Sequence, residues 1–152
     1  MSKFKIYAKS ILIPLIIGGT VGLLISSSID YSYLNKPFLS PPNFVFPIAW
    51  TILYTLMGIS YGILKNKSLV TNKIKIIYYL QLFVNALWSI FFFILNWRLF
   101  AFLWILLLIV LVVIMIFEFY KKNKIAGLLQ IPYLLWLLFA SYLNLSIYLL
   151  NK

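Results

Sequence analysis

The 152-residue chain contains no cysteine and no histidine. Without cysteine there is no disulfide, no thiolate nucleophile and no sign of the redox compartment. Without histidine neither a zinc cluster nor an imidazole-based triad can be assembled, and no metal or other cofactor is expected. Acids are almost as scarce, since Asp30 and Glu118 are the only two. A carboxylate dyad would have to use that single pair. These absences remove most conventional enzyme classes.

What remains is apolar. Hydrophobic residues make up 64% of the chain, and the mean hydropathy is +1.05. A water-soluble domain cannot hide that much apolar surface, so the surrounding solvent is partly lipid. The net charge of +11 raises the question of nucleic acid. The lysines, however, flank apolar segments instead of forming one basic face. They read as membrane topology, and no nucleic-acid partner is expected.

Five apolar segments are long enough to cross a bilayer, at roughly 20 residues each. They are expected near residues 6–28, 44–64, 74–95, 99–120 and 125–150. The fold class is therefore all-α: an integral membrane bundle of five transmembrane helices, forming one domain over 1–152. Only Asn96 and Arg98 interrupt the run from 74 to 120. Such a run is too long for one crossing, so a tight helical hairpin is expected there.

Ten cations lie before span one, between spans two and three, and between spans four and five: Lys3, Lys5, Lys9, Lys65, Lys67, Lys73, Lys75, Lys121, Lys122 and Lys124. The alternate side carries Lys36, Arg98 and Lys152. This asymmetry predicts a cytoplasmic N-terminus and an outer C-terminus, most simply in a bacterial cytoplasmic membrane. Asp30 and Glu118 then fall on opposite faces, roughly 30 Å apart, and cannot act together. No span carries a central carboxylate for a proton relay, which argues against a proton-driven pump. The N-terminal run is longer than a usual signal-peptide core and lacks an A-x-A-like site, so it is expected to stay as span one.

Small and polar residues are placed with helical spacing. Gly18 and Gly22 on span one make a GxxxG pair, open to packing inside the monomer or to a dimer contact. Gly58 and Gly62 repeat it on span two, where packing inside the monomer is favoured. Trp50, Tyr54, Met57 and Tyr61 share one stripe of span two. Gln81, Asn85, Trp88 and Phe92 share one of span three, and Tyr133, Trp136, Ala140 and Asn144 one of span five. Amides facing lipid leave hydrogen bonds unmade, so Gln81, Asn85 and Asn144 are expected inside. Any one stripe reads first as interhelical packing. Three tryptophans on three spans, each with an aromatic or polar neighbour, converge instead on a cavity for a flat, apolar ligand. "KPFLSPPNFVFP" cannot be continuous helix, because proline removes backbone donors and restricts its predecessor. It is expected to form a semi-rigid lid over the outer mouth, with Pro47 in the first turn of span two.

"LNKPFLSPPNFVFPIAWTILYTLMG", "QLFVNALWSIFFF" and "PYLLWLLFASYLN" resemble, in order and spacing, the motifs of the TspO/MBR family. That family takes in bacterial tryptophan-rich sensory proteins and the mitochondrial translocator protein, also called the peripheral benzodiazepine receptor. The resemblance covers nearly the whole chain. It implies a five-helix bundle, commonly a homodimer, in a membrane-lipid setting, with a pocket for porphyrins such as protoporphyrin IX. In some members cholesterol and benzodiazepine-like drugs bind as well. The matching ligand-binding positions are Tyr31, Trp50, Tyr54, Asn85, Trp88, Trp136, Ala140 and Leu143. Some bacterial members degrade protoporphyrin in light, and Trp50 and Trp136 occupy the tryptophan positions implicated. The chain also departs from the family pattern. The lid's usual "WY" is Asp30-Tyr31, the aromatic before the Pro-Pro step is Leu39, and the fourth-helix aspartate is Trp104. Leu145 and Leu149 stand where the mammalian cholesterol-recognition tyrosine and arginine align. A loose cholesterol pattern survives as Leu145, Tyr148 and Lys152, and cholesterol is not expected as the native ligand.

A porphyrin-binding membrane receptor or sensor is the leading reading, with Lys36 or Arg98 as candidates to meet the ligand's carboxylates. A light-dependent porphyrin-degrading enzyme, a transporter and a purely structural membrane scaffold are the alternatives. No inverted repeat or intramembrane coupling carboxylate supports transport.

Overall fold

In the computed structural model, residues 2–26, 37 and 40–151 are described. Tyr31, with Asp30, Lys36, Leu39 and Lys152, lies outside the described residues, as does most of the first connection.

The described chain is a helical bundle: α1 (Lys3–Ile25), α2 (Val45–Asn66), α3 (Asn72–Ser89), α4 (Arg98–Lys122), α5 (Lys124–Leu128) and α6 (Ile131–Asn151). No strand occurs among the described residues. Five segments are long and apolar enough to cross a membrane: Lys3–Ile25, Val45–Asn66, Asn72–Ile94, Arg98–Lys122 and Lys124–Asn151. Large apolar side chains such as Leu103, Val110, Phe117 and Leu135 point outward. In water that surface would be an aggregation hazard; in a bilayer it is the lipid-facing wall.

The helix limits follow local chemistry. Ser2 Oγ caps α1 by accepting from Lys5 N, and Thr71 Oγ1 caps α3 by accepting from Ile74 N. α2 opens on Pro42 and Asn43, whose carbonyls accept from Val45 N and Phe46 N. Pro47 sits in its first turn, where a missing N–H breaks no helical bond.

α1 is described as far as Ile25, and its expected limit at residue 28 lies outside the described residues. Two details differ from expectation. The third span does not stay α-helical, because Ile90–Ile94 form a π-helical turn in which Leu95 N donates to Ile90 O at 3.0 Å. The fifth span is broken into α5 and α6 at Leu129 and Gln130. Pro132 lies just beyond; it has no N–H for the carbonyl of Leu128 and restricts Ile131. The expected tight hairpin between spans three and four is present. Asn96 takes a left-handed φ of 57° there, which asparagine tolerates better than most residues.

Packing follows the small residues. α1 lies against α2, and α4 contacts α3, α5 and α6. On α4, Ala101, Ile105, Leu108, Val112, Met115 and Phe119 are all fully buried. Their alternating spacing of four and three keeps them on one face. At the lysine-rich end of the bundle Glu118 ties two elements together, 3.2 Å from Lys73 and 3.3 Å from Lys121. The opposite, proline-rich end holds the start of α2.

Candidate ligand site

α1 and α2 meet closely near the lysine-rich end and part near the proline-rich end. Gly58 lets the helices touch, since a Cβ there would lie 2.6 Å from the Ser10 carbonyl. Gly62 likewise faces Tyr7. The expectation of packing within the monomer for this pair is therefore met. Farther along α1, Gly18 leaves room for the Tyr54 ring, whereas Cβ atoms at Gly19 and Gly22 would meet nothing within 4 Å. The space beside them is a cavity of about 530 Å³, within the range of small-molecule sites.

α1 supplies the smooth wall of this cavity, through Gly18, Gly19, Gly22 and aliphatic neighbours. α2 supplies the aromatic wall, through Phe46, Trp50 and Tyr54, and the third span closes it with Ser89 and Phe93. Asn43, Ser26 and Thr51 give the rim its polar groups. No charged side chain occurs among the described lining residues. Arg98 does not line the cavity; its Nη2 donates to Asn96 Oδ1 at 3.2 Å.

Trp50 is the hub of the aromatic wall. Its ring stacks on Tyr54 at 5.5 Å between centroids. It meets Trp88 at 6.5 Å, Tyr133 at 6.3 Å and Trp136 at 6.2 Å. These separations lie in the attractive range for aromatic pairs. Phe46 closes the group, 6.1 Å from both Phe93 and Trp136. The expected tryptophans of spans two, three and five are thus brought together, but only Trp50 lines the cavity. Trp88 and Trp136 stand behind it. The Nε1 of Trp136 is buried and has no hydrogen-bond partner among the described residues.

Behind Tyr54 runs a seam of polar side chains. The Tyr54 hydroxyl donates to Asn85 Oδ1 at 2.6 Å. Asn85 Nδ2 donates to the Tyr133 hydroxyl, and that hydroxyl to Gln81 Oε1, both at 2.7 Å. Gln81 Nε2 faces Met57 Sδ at 3.8 Å. A second tie holds the hairpin, where Trp88 Nε1 donates to Asn144 Oδ1 at 3.0 Å and Asn144 Nδ2 to the Arg98 carbonyl at 2.8 Å. Gln81, Asn85 and Asn144 are all interior, at 1% exposure or less. Asn85 therefore sets the Tyr54 ring from behind the wall. Ala140 and Leu143 are buried on α6, away from the described cavity lining. Trp104 bonds to the Val84 carbonyl through Nε1 at 2.8 Å, fixing α4 against α3.

The α1 wall did not figure among the expected site residues. Its signal was the Gly18–Gly22 spacing, which has the same pattern whether a glycine serves helix contact or open space.

The model of the TspO/MBR family matches residues 10–150. The chain belongs to the TspO/MBR family. Among its relatives, the tryptophan-rich protein TspO of Archaeoglobus fulgidus is 42% identical, with 99% of each chain covered. The tryptophan-rich sensory protein of Cereibacter sphaeroides is 34% identical over 87% of this chain and 83% of its own. Protein CrtK of Rhodobacter capsulatus is 33% identical over 88% and 85%. Membership together with five apolar helices makes this an integral membrane protein. Within this TspO/MBR chain three of the five tryptophans, Trp50, Trp88 and Trp136, come from α2, α3 and α6, while Trp97 and Trp104 lie at the start of α4 and α1 contributes none.

Proposed function

We propose that the chain is a membrane sensor that binds a flat, largely apolar tetrapyrrole of the porphyrin type in the cavity between α1 and α2. The observation that carries this reading is the position of Trp50. It lines the cavity with one face of a cluster that also includes Tyr54, Trp88, Tyr133 and Trp136. Such a wall suits stacking of an extended ring. The naming of one relative as a sensory protein accords with a receptor role. In this reading the lysine-rich end faces the cytoplasm and the cavity opens toward the outer side.

The test is saturable quenching of tryptophan fluorescence by protoporphyrin IX, in detergent and in the dark, with empty-micelle and inner-filter controls. Gly22→Leu puts a side chain into the cavity from its smooth wall and leaves every aromatic residue in place. It should weaken quenching at least tenfold in apparent affinity, equivalent to about 1.4 kcal/mol. Quenching that saturates equally in wild type and Gly22→Leu would place the ligand elsewhere. Non-saturating quenching in both would reduce it to partitioning into the micelle.

The tryptophan cluster also gives the light-dependent degradation reading a physical basis, since Trp88 and Trp136 back the residue that would face the ring. Bleaching of bound porphyrin under light that needs Trp50 and Trp136, while dark binding does not, would convert the sensor into an enzyme. Bleaching at the same rate without protein would dismiss that alternative.

A further inference from the structure

One turn beyond the polar seam, toward the lysine-rich end, two deeply buried polar side chains have no hydrogen-bond partner among the described residues. Gln130 is 0% exposed, and neither Oε1 nor Nε2 meets a hydrogen-bonding group among the described residues. The Tyr78 hydroxyl is in the same position, on a side chain 1% exposed.

Bonds on either side fix where these groups lie. Gln130 falls between Ala126, whose carbonyl accepts from Ser60 Oγ at 2.6 Å, and Tyr133, whose hydroxyl donates to Gln81. Those two ties hold the fifth span against α2 and α3, so Gln130 is pressed toward the same helices. Tyr78 precedes Gln81 by three residues on α3, as Gln130 precedes Tyr133. Both spans start at the lysine-rich end and run the same way. Tyr78 and Gln130 therefore share one level, a turn inside the Gln81–Tyr133 bond. The Tyr78 ring is fixed there by stacking on Tyr61 at 4.4 Å.

We propose that Tyr78 and Gln130 form a buried site for a small cluster of water molecules. Glutamine brings two donors and a two-lone-pair acceptor, and tyrosine brings one donor and an accepting oxygen. Unpaired, these groups are costly in a bilayer-embedded core. Buried water typically makes about three hydrogen bonds to such groups. No acidic or basic side chain is among the described buried residues, so the site suits a neutral occupant over an ion. Gln81 gives one N–H to the weak thioether acceptor of Met57, which leaves its inner side suited to the same water. The cluster continues the seam from Tyr54, on the cavity wall, toward Ser60 near the lysine-rich end. The inference does not depend on which ligand the cavity takes.

Gln81 and Gln130 are the only glutamines in the chain, which makes the test clean. Protein labelled with nitrogen-15 in glutamine side chains, in lipid nanodiscs, gives two side-chain amide pairs. Loss of one pair in Gln130→Met assigns them. The expected result is a direct cross-relaxation signal between water and the Gln130 amide. In Tyr78→Phe it should persist but weaken, as the water loses one of its anchoring hydrogen bonds and is held less firmly beside the amide. Absence of the signal in the wild type overturns the proposal. So does its complete loss in a folded Tyr78→Phe, which would show relay through the hydroxyl, or no change there, which would remove Tyr78 from the site. If Tyr78→Phe fails to fold, the wild-type signal alone decides.

Discussion

Alanine in place of each of four glycines adds the same methyl group at four different depths of the α1–α2 interface. Each replacement gains about 1 kcal/mol of helix propensity. The differences between them therefore report the space each methyl enters. At Gly22 it meets nothing within 4 Å, so Gly22→Ala should be neutral or stabilising by up to about 1 kcal/mol. At Gly62 the nearest atoms belong to the half-buried ring of Tyr7, 2.8 Å away, which can swing outward. At Gly18 the obstacle is the Tyr54 ring. That ring is held by its bond to Asn85 and its stack on Trp50, so it cannot yield cheaply. At Gly58 the obstacle is backbone, the Ser10 carbonyl and Ile11, and only separation of the helices relieves it. Overpacking costs about 1–3 kcal/mol. Set against the propensity gain, Gly18→Ala should lose up to about 2 kcal/mol, and Gly58→Ala should lie at or beyond that limit. At about 2–4 °C per kcal/mol for a chain of this size, the order of Tm in detergent should be Gly22→Ala, Gly62→Ala, Gly18→Ala, Gly58→Ala from highest to lowest. The assay is thermal unfolding followed by far-ultraviolet circular dichroism. Gly22→Ala falling as far as Gly58→Ala would refute the reasoning and would mean that the Gly22 face meets another surface.

Asn144→Leu strands both the Trp88 N–H and the Arg98 carbonyl. Unfolding by graded sodium dodecyl sulfate should show a loss of about 1–3 kcal/mol, near the sum of two interhelical bonds of up to about 1.7 each. Tyr54→Phe removes one hydroxyl and leaves Asn85 tied to Tyr133, so its loss should be smaller, about 0.6–1.7 kcal/mol by the same assay. Because the chain has no cysteine, Ser2→Cys and Asn151→Cys each create a unique thiol. In intact cells an impermeant maleimide should label Asn151→Cys and spare Ser2→Cys; the reverse would invert the topology.

The sequence made the membrane class legible because few other solvents tolerate its composition, and it made the hairpin legible because a run from 74 to 120 exceeds a bilayer. Helix breaks inside spans were less visible. Pro132 announces that something changes near 130, yet proline also starts helices. The π-helical turn at Ile90–Ile94 has no mark in "IFFFI". It arises where the chain must reach the Asn96 turn while Phe92 and Phe93 still pack inward.

For the site, periodicity showed which residues face inward but not which inward residues stand beside empty space. Trp50, Trp88 and Trp136 fall on matching stripes, and the fold joins them in one cluster. Whether a ring then lines a cavity or backs one depends on the helix opposite. Here that helix is α1, whose Gly19 and Gly22 withhold the side chains that would fill the gap beside Trp50, while Gly18 admits Tyr54. An absent side chain has no periodic signature of its own. The same glycine spacing closes α2 onto α1 at Gly58 and holds the two apart at Gly22. The difference lies in the partner: backbone of α1 presses against Gly58, whereas at Gly22 nothing comes within 4 Å and the cavity separates it from the aromatic wall. The cavity is therefore a property of two helices read together, and it becomes legible only once their register is known.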